Sequence, residues 1–191
     1  MTWLDEIRRA NRTFKDRVTP DRLPTQRTPC PNAVITCMDP RINLEAIGVS
    51  PFASDGTLGS DSRIIRTIGG LHDIRSLVIG IHLAGVKEIA VVMHTDCGCR
   101  LAREKIDTIA ANMASNLTED QFDRVKRRIG EPFQKNLIRW LGAFEDPYTA
   151  VVEEVRNIRD SEFVPADTVL HGLVYDLASG SADIVVNGYG H

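Results

Sequence analysis

Two patterns of apolar residues alternate along this chain. Trp3, Leu4, Ile7, Ala10 and Phe14 recur at helical spacing with charged residues between them. The first residues, 1–17, therefore predict an amphipathic helical arm, followed by a Pro-containing connector from Thr19 to Pro31. Ala33 to Thr36 and Ile89 to Met93 are instead continuously apolar or β-branched, as expected of parallel strands buried on both faces. Between them the pattern predicts a Gly- and Ser-containing loop from Gly48 to Ser62 and a strand at Ile64 to Ile68. Leu71, Ile74, Leu77, Val78 and Ile81 then mark one face of a helix that stops at Gly85, read as its C′ residue. Strand, helix, strand in this order is a βαβ unit.

The second half continues in the same style. A helical stretch begins at Gly98, with Leu101, Ile106 and Ile109 as inward positions. Thr118 with Gln121 can form a capping box for another helix, and Asp146 with Pro147 supplies an N-cap and N1 pair for a helix carrying Val151, Val152, Val155 and Ile158. Strands near Val169 to Leu177 and Asp183 to Val186 are joined by Ala-Ser-Gly-Ser-Ala. No internal repeat or low-complexity linker interrupts the chain, and 191 residues suit one domain with a sizeable core. The fold class expected is α/β, a central mostly parallel sheet flanked by helices, with residues 1–191 as a single domain.

Composition removes several function classes. No stretch approaches the roughly 18 uncharged apolar residues of a membrane span, and the start lacks the apolar core of a secretory signal. A cytoplasmic protein is expected, without a membrane partner. A net charge of −3 gives no electrostatic case for nucleic acid, and Arg124, Lys126, Arg127 and Arg128 read as a solvated helix face. Four cysteines are too few for a disulfide scaffold in a chain of this length.

Candidate chemistry concentrates in two short stretches, Cys37-Met38-Asp39-Pro40-Arg41 and His94-Thr95-Asp96-Cys97-Gly98, each directly after a strand-like run. Together they offer two thiolates and an imidazole, the donor set of a zinc site with one open position, with a carboxylate and a guanidinium beside it. In open α/β sheets ligands gather outside the carboxyl ends of strands, where Cys37 and His94 both fall. Cys97 falls at the start of the following helix, a position that favours a thiolate. Cys30 and Cys99 are left as free thiols, Cys99 as a small buried side chain. His72 and His82 on the helix-like segment and His171 in a strand read as packing or surface residues.

These motifs resemble the β-class carbonic anhydrases, whose signature pairs C-x-D-x-R with H-x-x-C-G. The resemblance extends to Arg66-Thr67-Ile68-Gly69-Gly70, similar to the family's R-N-A-G element, to Val86-Lys87-Glu88-Ile89, and to His171-Gly172-Leu173-Val174-Tyr175-Asp176, similar to the final strand of the compact members. It implies a Zn2+ cofactor on Cys37, His94 and Cys97, a catalytic dyad of Asp39 and Arg41, and reversible hydration of carbon dioxide to bicarbonate and a proton by zinc-bound hydroxide. It also implies a homodimer or homotetramer in which the N-terminal helix packs on a neighbouring subunit. Ile68 departs from the small residue usual at its position, which should narrow or reshape the pocket.

Chemistry gives each residue a reason. Arg41 can hold Asp39 bidentately, turning its carboxylate from the metal toward the hydroxide proton. Gly69 and Gly70 permit close backbone approach, so Gly69 is a candidate substrate-binding position, although Gly-Gly at a strand end is also an ordinary turn. The same fold and donor set occur in hydrolases of carbonyl sulfide and carbon disulfide, the second reading. A third is a non-catalytic zinc-bearing module that binds a partner.

Overall fold

The structure, a computed structural model, describes residues 2–23, 30–50 and 60–190. Parts of the expected Thr19–Pro31 connector and of the Gly48–Ser62 loop lie outside the described residues. A helix α1 (Trp3–Arg17) opens the chain and is closed at its start by a reciprocal Thr2–Asp5 capping box. None of its residues is buried, so among the described residues its apolar stripe, led by Trp3 at 77% exposure, covers nothing.

Five strands form one sheet in the order β2-β1-β3-β4-β5. Strands β1 (Asn32–Cys37), β2 (Ser62–Thr67), β3 (Glu88–His94) and β4 (Val169–Tyr175) are parallel, and β5 (Ala182–Val186) runs antiparallel on β4. The fold is thus the mostly parallel α/β sheet that the apolar runs demand. Val34 and Ile35, like Val91 and Val92, are all buried though they point alternately to opposite faces. One face carries α2 (Ile74–His82) and α7 (Pro147–Arg159), whose Leu77, Ile81, Val151, Val155 and Ile158 pack on Ile35, Ile89, Val91 and Met93. The opposite face holds Val34, Val92, Ile42, Leu44 and the two motif cysteines, with α6 (Phe133–Leu141) and the start of α3 (Gly98–Glu104) against them. Helices α4 (Ile106–Asn116) and α5 (Glu119–Ile129) build a small satellite core with α6 around Ile106, Phe133 and Leu137.

Both expected capping devices occur: Thr118 and Gln121 cap α5, and Asp146 accepts from the Thr149 N–H ahead of Pro147 in α7. Four local expectations need correction. Leu71 and His72 precede α2, which starts at Ile74 because Asp73 caps it by accepting from the Ser76 N–H. The same helix ends at His82 with Leu83 as C-cap, so the left-handed Gly85 lies beyond C′. Leu101 is exposed, not inward: α3 spans seven residues, its buried position is Cys99, and the chain kinks at Lys105 before α4 restarts the phase at Ile106. Helix α6 has no counterpart in the sequence expectation; it opens after Pro132 without a side-chain cap and is closed by the left-handed Gly142.

Between β2 and α2 the chain crosses the ends of β1 and β3 as a short 3-10 turn, Ile68–Gly70. It is fastened beyond the turn by the buried Glu154 of α7, which accepts from both the His72 backbone N–H and its ring Nδ1, the latter at 2.7 Å. The carboxylate hydrogen bond raises the His72 pKa above its ordinary 6.5. A raised folded-state pKa means that this stabilisation is fully present below about pH 6.5 and is lost as pH rises through the raised value. Glu154→Gln should therefore cost about 1–3 kcal/mol in urea unfolding at pH 6 and distinctly less at pH 9, with the backbone contact persisting at both. An equal cost at both values would show that the imidazole is not charged in the fold.

Candidate metal centre

Strands β1 and β3 are neighbours in register, Thr36 beside Val92, and each ends with a potential ligand, Cys37 and His94. Cys97 follows one turn later as the N-cap of α3, where its sulfur accepts from the Cys99 N–H. The ligand atoms of the three lie within 4.8 Å of one another and all three residues are buried. The pairing of β1 with β3 thus brings the three expected donors together.

Do they fit a metal? The Cys37 and Cys97 sulfurs are 3.9 Å apart, close to the roughly 3.8 Å that two thiolates at about 2.3 Å from a tetrahedral zinc would subtend. His94 donates from Nδ1 to the Thr95 carbonyl at 2.8 Å, which leaves Nε2 as the lone-pair nitrogen. That Nε2 is buried with no hydrogen-bond partner. A fixed tautomer with an orphaned acceptor beside two thiols is the arrangement a metal completes.

The thiol pair shares charge unequally. A hydrogen bond from Cys97 draws Cys37 down to about 4 against the penalty of burial, helped by His94 and by the Asp39 and Gly69 backbone. The same contact, reinforced by burial, raises Cys97. Without metal, Cys37 is therefore the more readily ionised of the two. The Cys97 helix is only seven residues long, and a thiolate neighbour outweighs its dipole.

Asp39 is not in the converging group. Arg41 holds it from the side: Nε lies 3.0 Å from Oδ1 and Nη2 lies 2.7 Å from Oδ2, while the Arg41 backbone N–H also donates to Oδ1. These bonds keep the Asp39 carboxyl well below the usual carboxylate range. The other edge of the guanidinium reaches Asp96, with Nη1 on Oδ2 at 2.7 Å and Nη2 on the backbone carbonyl at 3.0 Å. Arg66 supports the loop from β2, donating to the carbonyls of Cys37, Asp39 and Ile42 at 3.0, 3.2 and 3.4 Å. The sequence marks Arg66 only as part of a family element and Asp96 only as a position inside the second motif; a cation aimed at carbonyls leaves no paired-charge signal in a sequence.

Gly69 takes a left-handed φ of 63°, and a Cβ there would press on the Cys99 sulfur at 3.0 Å and on the Phe144 ring at 3.1 Å. Close packing thus accounts for that glycine, whose backbone also bonds to Cys37. Cys99 is a buried free thiol whose sulfur lies 3.4 Å from the Gly142 carbonyl, and burial pushes it up to about 11. Cys30 is buried and donates to the Asp61 carbonyl. His72 and His171 pair with Glu154 and Glu88, and His82 meets the Phe163 carbonyl.

Fold and site together define a class: a mostly parallel α/β sheet with a buried Cys-His-Cys group suited to a metal at its strand ends and a carboxylate–guanidinium pair alongside. Comparison with known proteins agrees. No family model matches the chain. It is 30% identical over 154 residues to the carbon disulfide hydrolase of Acidianus sp. (strain A1-3), spanning 75% of this chain and 72% of that one. It is 27% identical over 196 residues to YtiB of Bacillus subtilis, a protein named as a candidate carbonic anhydrase, covering 99% of each. The crystal structure of β-carbonic anhydrase isoform I from Trichomonas vaginalis superposes with a TM-score of 0.76 at 28% identity, over 99% of this chain and 100% of that one. This chain belongs to the β-carbonic anhydrase family. The family uses zinc, and Cys37, His94 and Cys97 form a group suited to it.

Zinc needs both thiols deprotonated, whereas metal-free Cys97 keeps its proton near neutrality. Loading the metal-free protein at pH 7 in weak buffer should release about one proton per zinc from the thiol pair, and zinc affinity should climb with pH. Cys97→Ser should weaken zinc binding by at least ~100-fold in a chelator competition; wild-type affinity in that variant would remove Cys97 from the donor set.

Proposed function

We propose that this chain is a zinc enzyme for the reversible hydration of carbon dioxide to bicarbonate and a proton, with Cys37, His94 and Cys97 as ligands and Asp39 and Arg41 as the catalytic pair. The observation that carries this reading is that three buried donors converge while a fourth candidate, Asp39, is held aside by Arg41. A purely structural zinc site is closed by four protein ligands and has no use for such a pair. Zinc held by these three donors would supply Lewis acidity and lower the ionisation of bound water to roughly neutral pH.

The chain's own residues do the rest. Asp39, kept ionised by Arg41, can only accept a hydrogen bond. It fixes the nucleophile's proton and so aims its lone pair at the substrate carbon. Arg41 supplies the orientation, because its Nε and Nη2 edge matches the carboxylate. Gly69, packed beside Cys37, is proposed as the backbone edge of the substrate position.

Hydrolysis of carbonyl sulfide or carbon disulfide is the second reading, supported by the resemblance to the Acidianus carbon disulfide hydrolase. The protein is further proposed to act as a single domain in the cytoplasm, a setting that suits four free cysteines. No helix among the described residues is long and apolar enough to cross a membrane. A homodimer or homotetramer is supported by α1, whose exposed Trp3, Leu4, Ile7 and Phe14 require a cover.

Stopped-flow hydration of carbon dioxide at about pH 8.5, on protein with stoichiometric zinc, tests the reaction. Two thiolates donate more charge than imidazoles, so activity should rise above neutral pH, and a rate flat from about pH 6 to pH 9 would count against the mechanism. Slow carbon dioxide turnover with rapid sulfide release from carbon disulfide would select the second reading, and neither would leave a non-catalytic zinc module. Arg41→Ala should lower kcat/KM by about 100-fold at unchanged zinc content. Deleting residues 1–17 should lower the solution mass; an unchanged mass would remove α1 from the assembly.

A further inference from the structure

Resting on that reading, we propose that Asp96 is a positioning residue that ties the Asp39–Arg41 pair to the loop carrying the metal ligands. Asp96 lies between His94 and Cys97, so it belongs to the same short loop as two of the three donors. It is the only non-glycine with a positive φ, 52°, among the described residues. Aspartate tolerates that left-handed conformation at some cost, and such a residue in a ligand loop points to a constraint imposed by function. Both its carboxylate and its backbone carbonyl are directed at one partner, the Arg41 guanidinium, at 2.7 and 3.0 Å.

Arg41 is therefore shared between two edges. Nε and Nη2 hold Asp39, while Nη1 and Nη2 hold Asp96. The guanidinium is rigid and planar, so fixing one edge fixes the other. Through it the loop after β1 is registered on the loop after β3, and the Asp39 carboxylate keeps its place relative to Cys37, His94 and Cys97. The Arg41 and Asp96 side chains are 51% and 78% exposed, so their attraction contributes little to stability in water. Its effect lies in orientation. Without Asp96, Arg41 stays paired with Asp39 but loses its anchor, and Asp39, two residues from Cys37, is free to swing toward the metal as a fourth ligand.

The test uses the full chain loaded with zinc for kinetics and with cobalt(II) for absorption. Asp96→Ala should lower kcat/KM by roughly tenfold at wild-type metal stoichiometry, and its cobalt ligand-field bands should shift as a carboxylate enters the coordination sphere. Asp96→Asn, which keeps an acceptor for Nη1, should recover most of the rate and the wild-type bands. Asp96→Gly accepts the left-handed backbone without strain yet lacks the carboxylate, so it should match Asp96→Ala; it also stands in if the alanine variant does not fold. Cobalt bands identical to wild type in the Ala and Gly variants would overturn the inference, whatever the rate. The cobalt measurement requires no turnover, so a wild-type protein inactive on every gas would sink the proposed reaction while still leaving the role of Asp96 decided.

Discussion

The site depends on the parallel pairing of β1 with β3. Their register sets Thr36 beside Val92 and ends the two strands together, so Cys37 and His94 emerge from the same sheet edge a few ångströms apart. Parallel strands survive only when both faces are covered, and here α2 and α7 cover one face and α3 and α6 the other. A one-residue slip would turn every side chain of β1 to the opposite face and exchange a ligand for a core residue. Burial of Ile35, Val91 and Val92, all at 0% exposure, makes that slip costly, so the hydrophobic core that stabilises the sheet is also what aims the donors.

Polar contacts then convert strand ends into a site. The Thr36 hydroxyl donates to the Val92 carbonyl and locks β1 to β3 one residue before Cys37. The Thr95 N–H donates to the Tyr175 carbonyl, and its hydroxyl accepts from the Leu177 N–H and donates to Asp176, so the His94–Cys97 loop is moored to the end of β4. Arg66 gathers three carbonyls of the other loop. Each loop is thus also moored to an adjacent strand, and Arg41, held by Asp39 of its own loop and Asp96 of the other, takes a definite orientation although exposed.

What was legible in the sequence follows from what is local or periodic. The apolar runs of β1 and β3, the capping box of α5 and the Asp146–Pro147 start of α7 carry their signals within a few residues, and the structure agrees with each. The three donors were legible because strand ends place ligands by rule. Leu101 was misread because a helical phase was carried across the kink at Lys105, which periodicity does not register. Helix α6 escaped because it lacks a side-chain cap, although Phe133, Leu137, Ile138 and Leu141 have helical spacing. The distribution of charge between Cys37 and Cys97 was illegible for another reason: it is a property of a 3.9 Å contact between residues 60 apart, and no local rule contains it.

That contact also bears on which metal the fold accepts. Two thiolates carry two negative charges, and burying both without a counterion is prohibitive, so the metal-free protein keeps a proton between them. A divalent cation replaces the proton and offsets the charge of both thiolates. A monovalent ion would leave uncompensated charge in a buried site, and a hard ion such as magnesium would find sulfur and nitrogen where it prefers oxygen. The same burial that positions the donors therefore also selects a soft or borderline divalent ion. Because the ion binds only the folded arrangement of the three donors, metal affinity and folding stability are two readings of one free energy.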